Sequence, residues 1–398
     1  MRYKLVPALL AIAGVTAFSA SAGAATTSKV KPAKGTPIKL SVIADMDFPE
    51  AGISLATARP DLAAEAAIKA VNKAGGVHGH PLKLVVDCDS KGDGNVANGC
   101  AQQAVKDGVV ADVGGFNFAG NPAGILQSAS VPMIGRTPGF DPTEFKNTDE
   151  FPFFAVGETG MSDAVYAAVK YLHAKKISLI STAPASSLYF STGEAEAKAL
   201  GATVVNEVNA APGSDLTSPV LTAEGNGAQA IAAVSPIVDQ VIEAAKQNGV
   251  NLPIVSSLQP SQVKELGSAG NGVYSVEPYQ LPSAKLPGLE QMNRELNAYQ
   301  STGIPRTVFT LSGWLAVHMF ADVANKLKVV NRKTVSAAFK RLKNQNAYGL
   351  IPNYTTSVKF TGLGGSFPDI YSPWMYLQID KNGTQVPELG GKPFNPFS

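Results

Sequence analysis

The feature that most constrains this chain is a repeated alternation of strand-like and helix-like stretches. Four short β-rich or apolar runs are typical of buried strands, at residues 38–44, 81–86, 109–113 and 131–134. Helix patterns separate these runs, at residues 61–73, 95–106 and 122–129, and Asp61 is the expected N-cap of the first. This order predicts a parallel sheet that carries helices on both of its faces.

A second α/β unit follows an extended aromatic segment at residues 150–156, beyond which the alternation resumes up to about residue 256. We therefore expect two α/β lobes with parallel sheets rather than one long sheet. Three helix patterns then belong to neither sheet alone, at residues 289–301, 308–326 and 334–342. Two β-like stretches end the chain, at residues 357–360 and 374–380. Ligands bind beyond the carboxyl ends of strands in open α/β sheets, so a cleft between the lobes is the expected site.

The N-terminus has the pattern of an export signal. Arg2 and Lys4 precede an uncharged apolar run at residues 5–18, and a small-residue cleavage site ends at Ala24. We expect residues 1–24 to be removed and residues 25–37 to form a flexible lead-in. The apolar run is too short to span a bilayer, and no cysteine near the cleavage site offers a lipid anchor.

Charge and composition exclude some classes of partner. Without Arg2 and Lys4 the chain has 31 basic and 31 acidic side chains, so its net charge is zero. No basic excess attracts nucleic acid or an anionic membrane surface. Apolar residues make up 45% of the chain and charged residues 16%, which is typical of a globular protein.

Cys88 and Cys100 are the only two cysteines. Cys88 ends a strand pattern, and Cys100 lies inside the helix pattern that follows. An even number of cysteines in an exported protein favours a disulfide, with two free thiols as the alternative. Closing so short a loop contributes roughly 3 kcal/mol to stability.

The sequence has no recognisable catalytic or cofactor motif. It lacks an H-E-x-x-H pair, a G-x-S-x-G nucleophile site and a G-x-x-x-x-G-K-[ST] phosphate loop. His78 and His80 are possible metal ligands, but they lie in a turn pattern with no third ligand nearby. We therefore expect a protein that is not an enzyme and that has no metal site and no cofactor.

One loop, at residues 113–122, stands out by its composition. It combines three glycines with Phe116, Asn117 and Phe118, and it leads into a short helix for which Asn121 is the expected N-cap. Glycines let the backbone approach another group closely. The loop is either one wall of a small-molecule pocket or a tight turn whose aromatic rings pack in the core. Its place at a strand end facing the cleft favours the pocket wall.

Three stretches of the sequence resemble a known family. Residues 66–82 resemble its first helix and Gly-Gly turn, residues 86–89 with 97–105 its second strand and helix, and residues 131–135 the strand before its second ligand loop. In this order, behind an export signal, they make the chain similar to the periplasmic substrate-binding proteins of ABC importers. The resemblance is to the leucine/isoleucine/valine-binding group, and it covers about residues 38–380.

The resemblance implies a type I fold, in which two Rossmann-like lobes with parallel sheets are joined by a three-segment hinge and close on a ligand. The three connecting segments correspond to residues 150–157, 276–279 and about 350–354. The N-terminal lobe would comprise residues 38–155 plus 280–350, and the C-terminal lobe residues 156–279 plus 351–398.

A protein of this kind would capture a small organic ligand (an amino acid, an amide or a small carboxylate) and deliver it to the membrane permease subunits of an ABC importer. The resemblance implies a monomer in the periplasm or at the cell exterior. A ligand sensor of the same fold, which presents its bound form to a membrane receptor, is the alternative.

The resemblance also implies ligand-binding residues. In the first lobe these are Phe48, Asn117, Phe118, Ala119, Thr137, Pro138, Gly139 and Phe140. Backbone N–H groups and the Thr137 hydroxyl would hold a carboxylate or another acceptor. In the second lobe the candidates are the aromatic pair Tyr189 and Phe190, and Ser235, Gln259 and Glu277.

The chain departs from the family in one respect. Amino-acid binders of the family hold the ligand's ammonium with an acid just after the strand that ends near Val255, whereas residues 256–260 here contain none. An ammonium without an anionic partner is poorly compensated in a closed cleft. A neutral or carboxylate-bearing ligand is therefore favoured, unless Glu277 or Asp47 replaces the missing acid.

Overall fold

The computed structural model describes residues 32–46, 58–137, 147–154, 156–182, 186–211, 213–234, 237–299, 303–356 and 374–396. Predictions on other residues lie outside the described part, among them the export signal and the β-like stretch at 357–360.

The first sheet is entirely parallel. Its strands are β1 (Ile38–Ala44), β2 (Leu82–Asp89), β3 (Ala111–Val113), β4 (Met133–Ile134) and β5 (Glu150–Phe151). They lie side by side in the order β2-β1-β3-β4-β5. The extended aromatic segment predicted after the first unit therefore begins as the edge strand of this sheet.

The second sheet is parallel over most of its width. Its strands are β6 (Lys176–Thr182), β7 (Thr203–Ala210), β8 (Ala230–Ala233), β9 (Ile254–Ser256), β10 (Tyr274–Glu277), β11 (Tyr376–Asp380) and β12 (Gln385–Pro387). The order is β12-β11-β10-β9-β8-β6-β7. The two units confirm the predicted α/β fold with two lobes.

The second sheet departs from the expected parallel pattern only at its edge, where β11 and β12 pair antiparallel. The chain returns from the first lobe, so β11 begins opposite the end of β10, where Tyr376 pairs with Glu277. A tight hairpin then forms β12, because Asn382 and Gly383 both adopt positive φ angles (54° and 75°). This Asn-Gly pair is the preferred sequence of a two-residue hairpin turn.

Helices cover both sheets. They are α1 (Pro60–Lys73), α2 (Gly94–Lys106), α3 (Pro122–Ser128), α4 (Val156–Lys170), α5 (Ser186–Ala199), α6 (Thr217–Gly225), α7 (Val238–Gln247), α8 (Pro260–Leu266), α9 (Pro287–Tyr299), α10 (Val308–Ala324) and α11 (Arg332–Phe339). None of these helices, within the described ranges, is long and apolar enough to cross a membrane.

The N-terminal ends of α3 and α1 show whether two predicted N-caps are correct. Asn121 is the N-cap of α3, as predicted, and its side-chain oxygen accepts a hydrogen bond from Gly124 N at 2.8 Å. The expectation that Asp61 caps α1 is wrong, because the helix begins one residue earlier, at Pro60, with Arg59 at the N-cap. Proline favours the first helical position, and Asp61 instead pairs with the Arg59 guanidinium.

Helix α10 joins the core of the first lobe although it follows the second lobe in sequence. Nearly all its side chains are buried, and Trp314 and Leu315 belong to the same apolar cluster as Leu40 of β1. Two glycines allow this close packing. A Cβ at Gly114 would lie 2.5 Å from Gly313 Cα, and a Cβ at Gly313 would lie 2.2 Å from Pro60 O. Gly114 also has a φ of 67°, which disfavours any side chain.

The three predicted connecting segments lie side by side at the hinge. The Tyr354 hydroxyl donates to Pro152 O at 2.9 Å, and Gln280 N donates to Leu350 O at 2.7 Å. Aromatic rings pack between the segments, with Phe154 5.3 Å from the ring centre of Tyr279. Each segment therefore contacts at least one of the other two.

The predicted disulfide between Cys88 and Cys100 is present and joins β2 to α2. The described part of the chain contains no free cysteine. Because the bridge closes a loop of 12 residues, it restricts the unfolded chain more than the folded one.

Replacing both Cys88 and Cys100 with alanine is expected to lower the free energy of unfolding by about 3 kcal/mol, because the unfolded chain regains loop entropy. Urea unfolding of the variant and of the oxidised parent measures the difference. Equal midpoints for the two proteins would contradict the expectation, and reduced parent protein should match the variant.

Candidate functional site

The carboxyl ends of β1, β2 and β3 meet at a buried carboxylate. Asp45, directly after β1, is 1% exposed. Its Oδ1 accepts hydrogen bonds from Ser90 Oγ at 2.5 Å and Gly92 N at 2.9 Å, and its Oδ2 accepts one from Phe118 N at 2.7 Å. One side chain thus fixes the loops that follow three neighbouring strands.

Asn117 extends this arrangement to β4. Its Nδ2 donates to Ser90 Oγ at 2.6 Å, and its Oδ1 accepts from Arg136 Nη2 at 2.9 Å. We call Asp45, Ser90, Asn117 and Arg136 the loop network. The side-chain amide of Asn117, predicted to reach a ligand, is therefore hydrogen-bonded within the lobe at both ends.

Arg136 is a buried cation between acidic side chains. Its Nε lies 3.8 Å from Glu150 Oε1 on β5, and both side chains are almost fully buried. Asp112 on β3 accepts a hydrogen bond from Ser41 Oγ at 2.7 Å. Burial raises the pKa of Asp112 to about 6, and the positive charge of Arg136 opposes that shift. These carboxyl groups compensate the charge that Arg136 brings into the core.

The two phenylalanines of the glycine-rich loop differ in exposure. Phe116 is 3% exposed, and its ring centre lies 4.2 Å from that of Phe309 on α10. Phe118 is half-buried and meets Phe116 edge-on, with ring centres 6.3 Å apart. Ala119 beside it is also half-buried. Phe118 and Ala119, not Phe116, retain surface at the edge of the sheet.

Thr137 has an unusual hydroxyl group. Its backbone N–H donates to Gly115 O at 2.9 Å, which ties the end of β4 to the glycine-rich loop. Its Oγ1 is buried and has no hydrogen-bond partner among the residues that the structure describes. An unpaired buried hydroxyl costs free energy, and in native proteins such a group is usually satisfied by water or a ligand.

The second-lobe aromatic candidates lie near the start of α5. Tyr189 is 9% exposed and belongs to the apolar cluster that α4 shares with the second sheet. Phe190 is half-buried. Tyr189 therefore packs mainly as a core residue, and Phe190 has the more accessible ring.

Gln259 lies in the stretch 256–260, which contains no acid, and it connects the two lobes. Its Nε2 donates to Glu277 Oε2 at 2.9 Å, and its Oε1 accepts from Val308 N, at the start of α10, at 2.9 Å. Ser257 Oγ also donates to Glu277, at 2.9 Å. Burial raises the pKa of Glu277 to about 8, and the hydrogen bonds that it accepts from Ser257 and Gln259 oppose this shift.

A small hollow of about 20 Å³, partly open to solvent, lies where the second connecting segment meets both lobes. We call it the hinge hollow. Its polar lining comprises Gln259, Glu277, Gln280, Arg306, Gln378 and Gln385. Phe118, Thr137 and Tyr189 are not part of its lining. The predicted site residues therefore divide between the edge of the first sheet and the hinge.

Five predicted site residues lie outside the described part of the chain, namely Phe48, Ser235, Pro138, Gly139 and Phe140. Sequence reasoning missed Asp45, Ser90 and Arg136. The available signal was a polar or charged residue directly after an apolar run, which Asp45 and Arg136 both show.

Comparisons with known proteins give a family and a fold. The family model described as "Periplasmic binding protein" matches residues 37–359. No curated protein matches the chain. The solved structures include a branched-chain amino acid ABC transporter periplasmic ligand-binding protein from Burkholderia xenovorans, at 18% identity and a TM-score of 0.73. The match covers 90% of this chain and 96% of that one.

Two further solved structures are similar. A leucine-binding protein from Thermotoga maritima has 17% identity and a TM-score of 0.65, over 91% of this chain and 99% of that one. An ABC transporter substrate-binding protein from Desulfitobacterium hafniense, in complex with Leu, has 16% identity and a TM-score of 0.66, over 89% and 99%. At these identities the structures show a shared fold.

Changing Asp45 to Asn is expected to lower the free energy of unfolding by roughly 2–4 kcal/mol, because a neutral amide replaces a charged acceptor of three hydrogen bonds. Amide hydrogens at residues 90–92 and 116–118 should also exchange faster. Asp93→Asn is the matched control, since asparagine is an equally good N-cap for α2. A parent-like midpoint and exchange pattern for Asp45→Asn would refute the role of the loop network.

Stability is expected to fall as the pH rises from 5 to 8. Burial raises the pKa values of Asp112, Glu196 and Glu277 to about 6, 7 and 8, whereas these groups ionise near pH 4 in the unfolded chain. Over this range the folded protein holds protons that the unfolded chain has lost, so each such group lowers the free energy of unfolding by up to about 1.4 kcal/mol per pH unit.

Urea unfolding at several pH values measures this slope. Glu277→Gln removes one titrating group and should flatten the profile between pH 5 and 8. A free energy of unfolding that increases with pH over this range, or a Glu277→Gln profile as steep as that of the parent, would contradict the expectation.

Proposed function

Since the chain belongs to the periplasmic binding protein family, we propose that it captures a small organic ligand between its two lobes and delivers it to the permease subunits of an ABC importer. The ligand would be an amino acid, an amide or a small carboxylate. The observation that carries this proposal is the buried hydroxyl of Thr137 beside the glycine-rich loop, which has no partner in the described part of the chain. We assign no chemical reaction to this site and propose that it only binds and releases the ligand.

The first lobe would supply the preorganised half of the pocket. The loop network holds the loops after β1, β2, β3 and β4 in fixed positions before any ligand arrives. Because these loops are already ordered, ligand binding costs little conformational entropy in this part of the pocket. Thr137 Oγ1 would donate to a ligand carbonyl or carboxylate, and Phe118 and Ala119 would contact its apolar part. The side chain of Asn117 would hold the loop in position rather than contact the ligand.

The second lobe would close over the ligand. We propose lobes of residues 38–155 plus 280–350 and of residues 156–279 plus 351–398, moving about the three connecting segments. Phe190, with the edge of Tyr189, would cover the ligand from α5. Phe48, Ser235 and the loop at 138–140 remain candidates for the rest of the wall.

The contacts of Glu277 restrict the charge that the ligand can carry. Glu277 already accepts hydrogen bonds from Ser257 and Gln259, and burial disfavours its charged form by raising its pKa to about 8, so it is poorly suited to hold an ammonium group. This supports a ligand that is neutral or carries a carboxylate at the bound end. The protein from D. hafniense was solved with leucine, so an amino acid whose ammonium is held elsewhere remains within the proposal.

We propose that the protein works as an exported monomer, in the periplasm or at the cell exterior, and that it needs no cofactor. Balanced charge supports a small-molecule partner rather than nucleic acid. The membrane permease would recognise the closed form, in which the two lobes present one surface.

A thermal-shift screen across amino acids, short amides, aromatic acids and branched acids tests the proposal. A bound ligand raises the melting temperature by mass action, and the rise grows with ligand concentration. No shift with any of these solutes, and none with a concentrated cell extract, would overturn transport as the function.

Thr137→Val then tests the pocket with the solute that gives the largest shift. The variant keeps the shape of the side chain and removes a hydroxyl without a partner, so we expect unchanged or slightly higher stability and at least about tenfold weaker binding. Isothermal titration calorimetry measures the affinity.

The matched control is Thr356→Val, since the Thr356 hydroxyl donates to Phe339 O at 2.6 Å, away from the loop network. This variant should lose stability and keep its affinity. Parent-like affinity in Thr137→Val would remove Thr137 from the pocket.

A further inference from the structure

The balanced net charge of the chain is an average over an uneven distribution. Residues 323–356, which run from the end of α10 to the third connecting segment, contain seven lysine and arginine residues and no acidic residue. Six of the seven are exposed, and we call them the basic face, namely Lys326, Lys328, Lys333, Lys340, Arg341 and Lys343. The first lobe therefore has a strongly positive region that acidic residues offset only elsewhere in the chain.

Helix α11 brings much of this charge to one side. Val335 and Phe339 pack into the core of the first lobe, so the opposite side of the helix faces solvent. Lys333, Lys340 and Arg341 are seven and eight residues apart, and this spacing places them along one stripe of a helix. The other members of the basic face come shortly before or after the helix.

Few of these cations are neutralised. Lys340 Nζ lies 2.8 Å from Asp149 Oδ1, and Lys326 Nζ donates to Gln345 Oε1 at 2.9 Å. Within the described ranges three lysines of the basic face have no carboxylate partner, namely Lys328, Lys333 and Lys343. Like charges held close together repel one another, and an anionic partner relieves that repulsion.

The turn between α10 and α11 holds an apolar side chain out among these cations. Val329 is 60% exposed, more than any other large apolar side chain in the described ranges. The turn is fixed by hydrogen bonds, because Thr334 Oγ1 donates to Val329 O at 2.7 Å and Thr334 N donates to Asn331 Oδ1 at 3.0 Å. His78 Nε2 also lies 2.8 Å from Leu327 O. An ordered turn therefore presents an apolar tip with lysines on both sides.

This turn lies at the edge of the first sheet opposite to the loop network. Arg332 Nε donates to Val109 O at 2.7 Å, and its Nη2 donates to Val105 O at 3.1 Å. Both acceptors precede β3, whereas the loop network follows the carboxyl ends of the strands. A partner at this turn would therefore leave the proposed ligand pocket uncovered.

We propose that the basic face binds a membrane surface rich in anionic phospholipids, with its lysines at the phosphate groups and Val329 at the boundary of the acyl chains. Anionic headgroups overlie an apolar layer, and a surface that places cations around an apolar tip is complementary to both. A soluble polyanion offers the negative charge without the apolar layer.

Binding of this kind would hold the chain at the membrane, where the permease lies, and would raise its local concentration there. This role is additional to ligand capture, and it rests on the proposed export of the chain. It does not depend on which ligand the pocket takes.

Flotation with phospholipid vesicles tests the proposal. Vesicles of phosphatidylglycerol and phosphatidylcholine in equal parts are compared with vesicles of phosphatidylcholine alone. We expect saturable binding to the mixed vesicles, which should weaken at least about tenfold when the salt concentration rises from about 0.05 M to about 0.5 M, because salt screens the charges. Vesicles of phosphatidylcholine alone should retain little protein.

A triple variant tests the basic face itself, with glutamine in place of Lys328, Lys333 and Lys343. It should bind the mixed vesicles at least about tenfold more weakly, since each lysine near an anionic surface contributes about fivefold. Its melting temperature should not change, because the three side chains are exposed. The matched control removes equal charge from exposed lysines of the second lobe, namely Lys198, Lys246 and Lys264. It should keep its vesicle affinity within about twofold.

Val329→Ser tests the apolar tip. This variant should bind the mixed vesicles about threefold more weakly and unfold at the parent's temperature, because the side chain is mostly exposed in the free protein. All variants share the N-terminus of the parent, so differences between them report on the basic face.

Equal vesicle binding by the triple variant and the parent would overturn the proposal. An equal loss in the second-lobe control would also overturn it, since binding would then follow net charge alone. Binding to soluble polyglutamate as tight as to the mixed vesicles would replace the membrane with an acidic protein partner. None of these results bears on ligand capture at Thr137, which the thermal-shift screen tests separately.

Discussion

The buried carboxylate of Asp45 is the interaction on which the candidate site depends. Burying an ionised carboxylate is costly unless hydrogen bonds compensate it, and Asp45 receives three, from Ser90, Gly92 and Phe118. Those donors come from loops after two other strands. The same compensation that permits the buried charge therefore fixes the edge of the first sheet. Asn117 and Arg136 continue the network to β4, so a pocket at this edge has walls that are set before a ligand binds.

Hydrogen bonds within the first lobe separate positioning residues from candidate contacts. Asp45, Ser90 and Asn117 bond to one another or to neighbouring loops, so their role is positional. Thr137 Oγ1 is buried without a partner among the described residues, and it lies where a small molecule is proposed to bind. The edge of the first sheet therefore offers a hydroxyl donor beside the aromatic surface of Phe118.

Local patterns in the sequence predicted the features that depend on neighbouring residues. The alternation of strand and helix patterns predicted the two α/β lobes, Asn121 was recognisable as a cap, and the pairing of Cys88 with Cys100 followed from their number and compartment. The antiparallel β11 was not predictable in this way, because its direction depends on where the chain re-enters the second sheet. Arg59 rather than Asp61 is the N-cap of α1 because Pro60 favours the first helical position.

Long-range contacts account for the remaining differences. The inward orientation of the Asn117 amide depends on Ser90 and Arg136, which are 27 and 19 residues away in the chain. The sequence shows that residues 256–260 contain no acid, but the bond from Val308 in the other lobe to Gln259 is visible only in the fold. Side-chain partners at such separations are decided by the packing of whole elements, which periodicity and composition do not describe.

The central claim is that the chain captures one small organic molecule between its lobes. Native mass spectrometry tests it directly, after the folded protein has been equilibrated with a concentrated metabolite extract and desalted. The account predicts a folded species heavier than the denatured chain by the mass of one small organic solute, at one copy per chain. A folded protein that emerges with the mass of the bare chain alone, from extracts of cells grown on varied nutrients, would contradict it.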